Sequence, residues 1–285
     1  MENNENKAKG GKGRFVFWLV LFVVFTLTAA SCVGIWAYHA VLRHTMNELY
    51  EEARVQISQP VKNDKRPSGG TLPNVYLPND DSQKELLNLN PLARINFDLL
   101  KQTSPDVYAW IEIPGTPIAF PIVQHSTNNN YYLRRAISGA YDITGCIYTQ
   151  NYNSKDFSDK NTIIYGHYMD DGTKFGPLLS YMDKNFYEEH RRIDIYTETE
   201  WLTYEVFAAI PYDTRHILKT YNTHNDPYGA FLRDVLTSSD ARSIVSANYE
   251  IDAESDKIIT LSTCLKNSTK RYLVVAKLVK SQLCE

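Results

Sequence analysis

The sequence feature that most restricts the fold is a run of 23 residues near the N-terminus, 15–37, that contains no charged side chain. A helix rises about 1.5 Å per residue, so this run would be roughly 34 Å long and could span a hydrocarbon core of about 30 Å. Lysines and arginines precede it within residues 1–14, and the positive-inside rule places such residues in the cytoplasm. The sequence therefore predicts a basic cytoplasmic leader over 1–14, a transmembrane anchor over 15–37 and an extracellular remainder.

A cleaved signal peptide is the alternative for this run, because Thr28-Ala29-Ala30 resembles a cleavage site. The apolar part of a signal peptide is usually about 7–15 residues long, which is shorter than this run. A lipoprotein signal at Cys32 is disfavoured, because Ala29 stands where a large aliphatic residue is usual. We interpret the run as an uncleaved anchor.

Residues 38–82 differ in composition from the segments on either side. The first half is polar and has helical character, whereas residues 59–82 carry four prolines and a Gly-Gly pair with few apolar residues. Such a composition is typical of a flexible or partly extended linker. The sequence predicts a juxtamembrane helix and a tether over 38–82, followed by a folded domain over 83–285. That domain is expected to begin with one or two helices that break around Asn90-Pro91.

The folded domain is dominated by short segments that are rich in β-branched and apolar residues and are separated by turn signals. Eight such segments predict strands: 108–113, 118–123, 145–149, 162–165, 193–197, 202–209, 257–263 and 271–279. This pattern predicts a mainly β fold, a closed or nearly closed barrel. Helical segments interrupt it at 131–135, 176–187 and 227–246. The last is an inserted helix before the last two strands, which we expect to form a wall of a binding site.

The charge and the cysteine content narrow the classes of function. A net charge of -3 with scattered basic residues gives no sign of nucleic-acid binding. Cys32 lies in the apolar run and Cys284 is next to last in the chain, which leaves Cys146 and Cys264 for the folded domain. We expect Cys146 to be a small buried residue. An exported domain with no disulfide framework and one cysteine at a strand end is better explained as a thiol enzyme than as a disulfide scaffold.

Three residues at strand ends form a candidate site for thiol chemistry. Cys264 closes one predicted strand and Arg271 opens the next, so a short connection brings a permanent positive charge close to the sulfur. Nucleophilic catalysis also needs an acid or base, and His167 ends a strand-like segment in the same way. Three other histidines lie in polar stretches, where a solvated side chain is expected: His190, His216 and His224.

These segments resemble the signature segments of the sortase family, and specifically of class B sortases. The resemblance rests on Asn161-Thr-Ile-Ile-Tyr-Gly-His167, on Thr260-Leu-Ser-Thr-Cys264 and on Arg271. Residues 106–124 resemble the opening strands of the family, and residues 129–133 resemble its short substrate-side helix. The helix before Thr260 is characteristic of class B. The resemblance covers most of residues 90–280.

The resemblance implies an eight-stranded sortase-type barrel and a cysteine transpeptidase that needs no metal and no cofactor. Cys264 would attack the threonine carbonyl of a C-terminal sorting signal in another exported protein. His167 would protonate the leaving amine, and Arg271 would stabilise the oxyanion. The acyl group would pass to an amine of the peptidoglycan cross-bridge or to a pilin lysine. The family pattern also implies four substrate-binding residues: Asn129, Leu133, Ser262 and Thr263.

Two other functions fit the residues alone. A secreted cysteine protease would share the first half-reaction and end it with water. A papain-type fold is disfavoured, because its nucleophile precedes its histidine and lies on a helix. A membrane-tethered barrel that binds a surface ligand would leave Cys264 merely structural. Fast labelling of Cys264 by a thiol reagent, lost on His167→Ala, would favour an enzyme.

Overall fold

The computed structural model describes residues 5–54, 95–222, 224–247, 249–265 and 269–283. Contacts divide the chain into two units, residues 1–49 and residues 50–285. Several predicted features lie outside the described residues: the linker over 59–82, the domain start at residue 83, the helix break at Asn90-Pro91, and Cys284. These features stay predictions.

The first unit consists of most of α1, a helix of 49 residues over Glu5–Ala53. Within Arg14–Ala53, the helix is long and apolar enough to cross a membrane, by length and composition. Large apolar side chains between Phe15 and Trp36 are exposed, and exposed apolar surface of this extent is typical of a contact with lipid or protein. The structure thus contains the predicted N-terminal helix that could span a membrane.

The described part of the second unit contains nine strands and several short helices. The strands are β1 Val107–Glu112, β2 Ala119–Val123, β3 Ile147–Thr149, β4 Asn161–Tyr165, β5 Arg192–Tyr196, β6 Glu200–Tyr212, β7 Ile244–Val245, β8 Ile258–Cys264 and β9 Arg271–Leu283. The α-helices are α2 Phe97–Thr103, α3 Lys184–Glu189, α4 Ile217–Tyr221 and α5 Pro227–Leu236. Two 3₁₀ helices, η1 Tyr131–Arg134 and η2 Gly176–Met182, complete the described elements.

Eight of the strands form a closed barrel. Their order is β5-β1-β2-β3-β4-β8-β9-β6, and β6 pairs back with β5 to close the ring. β7 is a two-residue strand that pairs with β6 outside the ring. The pairs β2–β3 and β4–β8 are parallel, and the other pairs are antiparallel. The predicted eight-stranded barrel is confirmed, and each of the eight segments predicted as a strand contributes one.

Residues 258–263 of β8 and 272–276 of β9 are buried on both faces of the strands. On β9, alternate side chains such as Tyr272 and Val274 belong to the barrel interior. The intervening Leu273 and Val275 pack with residues of α4 and α5, including Phe231. A strand that is buried on both faces has a nearly continuous apolar sequence, and this pattern predicts the strand. The helix predicted before the last two strands, α5, therefore belongs to the apolar cluster on the outer face of β9.

The last turn of α1 belongs to the barrel unit. Tyr50 is 5% exposed and Ala53 is 0% exposed. The Tyr50 ring packs edge-on against Trp110, with ring centroids 6.4 Å apart, and against Phe120, with centroids 6.2 Å apart. The helix end therefore contributes an aromatic side chain to the packing on β1 and β2.

The chain returns to the barrel next to the point at which α1 ends. Arg54 and Ile95 form an isolated antiparallel bridge, and the Asn96 N–H donates to the Ala53 carbonyl over 2.8 Å. Residues 54 and 95 are therefore neighbours in space. The described part of the barrel unit begins at Tyr50, which is N-terminal to the predicted tether and to the predicted boundary at residue 83.

A chain that starts at Gln83 should be less stable than a chain that starts at Thr45, because only the longer chain keeps Tyr50 and Ala53. Losing a large buried aromatic side chain costs about 3–5 kcal/mol in other proteins. We expect the shorter chain to melt at a lower temperature, and Tyr50→Ala in the longer chain to reproduce most of the difference. Glu48→Ala, at an exposed position of the same helix, is the control. Equal melting temperatures for the two chains would contradict a stabilising role for Tyr50.

Candidate active site

Cys264 and Arg271 face each other across the last hairpin of the barrel. Cys264 is the final residue of β8, Arg271 is the first residue of β9, and the two are directly paired in the antiparallel ladder. The Leu265 N–H donates to the Lys270 carbonyl over 2.9 Å just outside the pair. The strand hydrogen bonds therefore fix the two backbone positions independently of their side chains.

The Cys264 thiol is exposed and has a guanidinium group beside it. Its Sγ lies 4.0 Å from Arg271 Nη1. A guanidinium carries a permanent positive charge. An accessible sulfur next to a fixed positive charge is the environment in which reactive cysteines are found.

The parallel pairing of β4 with β8 brings His167 to the same edge of the barrel. Tyr165 is paired with Ser262, and the Gly166 N–H donates to the Ser262 carbonyl over 3.1 Å. His167 follows Tyr165 by two residues, and Cys264 follows Ser262 by two residues. Parallel strands end at a common edge of a sheet, so the imidazole and the thiol are carried to the same end of two adjacent strands.

Gly166 is needed for the close approach of β4 to its neighbours at this edge. A Cβ atom at this position would lie 2.6 Å from Ile147 Cδ1 and 2.6 Å from Phe175 Cδ2. The Phe175 N–H also donates to the His167 carbonyl over 3.0 Å. The backbone of His167 is therefore held from both sides by packed residues.

The His167 ring has a fixed partner on one nitrogen. Nε2 lies 2.7 Å from the carbonyl oxygen of Leu133 in η1. A carbonyl oxygen only accepts hydrogen bonds, so Nε2 carries the proton in the neutral ring and Nδ1 carries the lone pair. Nδ1 is therefore the atom of His167 that can accept or deliver a proton.

Two stacked tyrosines line the strands next to the Cys264–Arg271 pair. The rings of Tyr148 and Tyr165 are 5.4 Å apart between centroids with an interplanar angle of 27°. Burial raises the pKa of Tyr148 to about 12, the positive charge of Arg271 lowers this pKa, and the charge of Cys264 raises it. Burial also raises the pKa of Tyr165. Both phenols stay protonated at physiological pH, so they can donate hydrogen bonds or pack against substrate but cannot act as bases.

Sequence reasoning missed these tyrosines and also the setting of His216. His216 is half-buried rather than solvated, because it caps the start of α4 and its Nε2 bonds to Gln150 Oε1 over 2.7 Å. Burial lowers the pKa of His216, and the charges of Lys219 and Arg271 lower it further. The ring is therefore neutral at pH 7. For the tyrosines, the sequence does contain a signal: Tyr148 and Tyr165 lie on two consecutive predicted strands, and this position could have predicted that their rings pair.

The four predicted substrate-binding residues lie in different settings. Asn129 is half-buried and its Oδ1 accepts from the Asn151 N–H over 2.7 Å. Leu133 is half-buried and provides the carbonyl partner of His167. Ser262 and Thr263 are buried, and their hydroxyl groups have no hydrogen-bond partner among the described residues. Their substrate-binding roles stay predictions.

Within the described ranges, no group of three or more histidine, cysteine or acidic side chains is placed to hold a metal ion.

Cys146 differs from Cys264 in exposure, because Cys146 is buried and Cys264 is exposed. Cys146 is 2% exposed, and its Sγ donates to the Arg135 carbonyl over 3.1 Å. Burial raises its pKa from 9.0 to about 12. At pH 8 only about one such thiol in ten thousand is ionised, so Cys146 is inert as a nucleophile in the folded protein.

A thiol-alkylating reagent at pH 8 should therefore modify Cys264 and spare Cys146. We expect peptide mass mapping to find Cys264 modified within minutes and Cys146 modified only after unfolding in guanidinium chloride. In Cys264→Ser, the fast modification of the peptide that contains this position should be lost. Equal modification of both cysteines in the native protein would contradict the assignment of Cys146 as a buried, inert thiol.

Comparison with known proteins gives concordant matches. The sortase domain model matches residues 111–279. Sortase B of Listeria monocytogenes is 34% identical over 177 residues, which cover 62% of this chain and 70% of that protein. Sortase B of Staphylococcus aureus is 30% identical over 192 residues, which cover 66% of this chain and 76% of that protein. A solved Staphylococcus aureus sortase B–substrate complex has a TM-score of 0.56 and 29% identity, and covers 69% of this chain and 91% of that chain.

The family match includes all three residues of the candidate site. Residues 111–279 are 169 of the 285 residues and contain His167, Cys264 and Arg271. The closed eight-stranded barrel is also the architecture shared with the sortase B structures. The chain therefore belongs to the sortase family and, within that family, to the class B cysteine transpeptidases.

Proposed function

We propose that this chain cleaves a C-terminal sorting signal of exported proteins after a threonine and transfers the new carboxyl end to an amine. The observation that carries the proposal is the pairing of the exposed Cys264 with Arg271, 4.0 Å apart between Sγ and Nη1. The position of His167 at the same edge of the barrel supports it. The Staphylococcus aureus complex contains a substrate, which supports a comparable substrate for this chain.

In the first half-reaction, the Cys264 sulfur attacks the threonine carbonyl carbon, and the peptide C–N bond breaks as a thioester forms. Negative charge develops on the carbonyl oxygen in the tetrahedral intermediate. Arg271 can donate to this oxygen from one nitrogen while another stays near the sulfur. The leaving amine takes a proton from Nδ1 of the protonated His167, whose Nε2–H stays bound to the Leu133 carbonyl.

In the second half-reaction, an incoming amine attacks the thioester carbonyl and loses a proton to Nδ1 of the neutral His167. The C–S bond breaks and Cys264 leaves as a thiolate beside Arg271. The product is a new amide, and the enzyme returns to its starting protonation state. Water in place of the amine would give a free acid, so the nucleophile alone separates this reaction from that of a cysteine protease.

We propose that residues 15–37 of α1 hold the enzyme in the membrane, with the N-terminus in the cytoplasm and the barrel unit outside the cell. The apolar helix and the basic residues before it support this orientation. A membrane-impermeant thiol reagent added to intact cells should modify Cys264. Modification of Cys264 only after cell lysis would contradict the orientation.

The test of the reaction uses the full-length chain in detergent and a peptide that carries a sorting signal. We expect an acyl-enzyme on Cys264 that hydroxylamine releases, as a thioester requires. Adding an oligoglycine amine, as a mimic of a wall cross-bridge, should replace the acid product with an amide. A lysine-containing pilin-type peptide tests the other acceptor. Release of acid at the same rate with either amine present would identify a hydrolase, and acylation of another residue would overturn the assignment of the nucleophile.

A further inference from the structure

We infer that the segment 142–146 positions the His167 ring, with Gly145 as the contact residue. The inference rests on the proposed role of His167 as the acid and base of the reaction. The segment acts through the backbone of η1, which supplies the carbonyl group that binds Nε2 of the ring. Gly145 is therefore a positioning residue and not a catalytic one.

The segment binds three carbonyl groups at the end of η1. The Cys146 N–H donates to the Tyr132 carbonyl over 3.0 Å, and the Asp142 N–H donates to the Arg134 carbonyl over 3.1 Å. The Cys146 thiol donates to the Arg135 carbonyl over 3.1 Å. Burial keeps this thiol protonated, because its pKa is raised to about 12. The thiol therefore remains a donor throughout the working pH range.

The fourth carbonyl in this series belongs to Leu133 and receives the His167 Nε2–H over 2.7 Å. The last carbonyl groups of a helix have no partner within the helix, so donors from elsewhere determine their directions. The groups on both sides of the Leu133 carbonyl are bound by the segment 142–146. The same segment therefore sets the direction of the carbonyl that orients the imidazole.

Gly145 is the point at which this segment touches the Leu133 carbonyl. Its φ angle is +57°, in the left-handed region that favours glycine. A Cβ atom on Gly145 would lie 2.5 Å from the Leu133 oxygen and 2.7 Å from the Tyr132 oxygen. Neither backbone oxygen can rotate away as a flexible side chain would. An alanine at this position would therefore force the Leu133 carbonyl group and the segment 142–146 apart.

Displacing this carbonyl would change which nitrogen of His167 is protonated. With the carbonyl in place, the neutral ring carries its proton on Nε2 and can accept a proton on Nδ1. Without it, the tautomer protonated on Nδ1 becomes accessible, and that tautomer has no lone pair on Nδ1. The expected consequence is a lower turnover number with little change in KM.

The test compares Gly145→Ala with Gly139→Ala in the full-length enzyme. Gly139 also has a positive φ, +82°, but a Cβ atom there would meet only the Tyr131 hydroxyl, at 3.2 Å. General acid–base catalysis typically contributes about 10²–10⁴-fold, so we expect Gly145→Ala to lower kcat at least about tenfold. Gly139→Ala should lower the melting temperature without lowering kcat. A Gly145→Ala enzyme with wild-type kcat would overturn the inference.

A second measurement reads the tautomer directly and does not depend on activity. The imidazole nitrogen shifts of ¹⁵N-histidine-labelled enzyme are recorded against pH, and the His167 signals are identified by their loss in His167→Ala. We expect the wild-type neutral ring to be protonated on Nε2 and the Gly145→Ala ring to be a mixture. A wild-type ring protonated on Nδ1 would overturn the inference. If His167→Ala kept full turnover, the proposed function of His167 would fail whatever the tautomer.

If Gly145→Ala does not fold, the thiol donor of the same segment provides another variant. Cys146→Ala removes the hydrogen bond to the Arg135 carbonyl, whereas Cys146→Ser keeps a donor. Loss of one hydrogen bond typically changes an equilibrium by about two- to tenfold, so we expect a loss of kcat in this range for Cys146→Ala and partial recovery for Cys146→Ser. Equal, wild-type kcat values for both variants, with a wild-type tautomer, would contradict the positioning role.

Discussion

Cys264→Ala should abolish formation of the acyl-enzyme and of the amide product while leaving the fold intact. In the proposed mechanism the sulfur is the only atom of the enzyme that forms a covalent bond to the substrate. Removing a nucleophile from such a site lowers kcat by at least about 10³-fold in other enzymes. The side chain is exposed, so its removal leaves no cavity in the barrel core. The backbone pairing with Arg271 does not depend on the side chain.

The measurement is product formation from a sorting-signal peptide, together with thermal melts of both proteins. Cys32→Ala is the matched control, because it removes an exposed free cysteine in α1 and should leave kcat unchanged. Melting temperatures of the wild type and Cys264→Ala should agree within a degree or two. A Cys264→Ala enzyme that kept more than a few per cent of the wild-type rate would show that another group is the nucleophile.

Arg271→Lys should lower kcat by about 10²–10³-fold, the usual effect of losing one oxyanion donor, which corresponds to roughly 3–4 kcal/mol. The guanidinium carries several N–H donors in a planar fork, so it can serve the sulfur and the carbonyl oxygen together. An ammonium group keeps the charge but concentrates its donors on one atom at the end of a flexible stem. The loss should therefore fall mainly on kcat.

Arg192→Lys is a useful comparison for this variant. Arg192 is the first residue of β5, as Arg271 is the first residue of β9. Unlike Arg271, Arg192 forms an ion pair with Asp194, with 2.9 Å between Nε and Oδ2. We expect Arg192→Lys to retain wild-type kcat, even if its melting temperature falls. Near-normal turnover of Arg271→Lys would contradict the donor role and leave only the charge of Arg271 as its contribution.

The barrel and the ends of its strands could be predicted because both depend on patterns of neighbouring residues in the sequence. Short apolar, β-branched segments predicted the eight ring strands, and residues at their ends predicted the meeting of Cys264 with Arg271. The parallel pairing of β4 with β8 was not predictable in this way, because register between strands that are distant in the chain depends on the whole barrel. This pairing is what brings His167 to the same edge.

Contacts made by backbone atoms could not be predicted from the sequence. The partner of His167 is a carbonyl oxygen of Leu133, and every residue type has such an oxygen. The burial of His216 depends on a bond to Gln150, 66 residues away in the chain, which its polar sequence neighbours gave no reason to expect. The packing of Tyr50 is not predictable from the sequence, because Tyr50 precedes a proline-rich segment that predicts the boundary of the domain.

The bridge between Arg54 and Ile95 has a consequence for how this protein can vary. Arg54 and Ile95 are neighbours in space, so neither residue has to move when the length of the connection between them changes. In general, doubling the length of a closed loop costs only about 0.6 kcal/mol of entropy. We therefore expect an affinity tag inserted between Arg54 and Ile95 to leave turnover nearly unchanged.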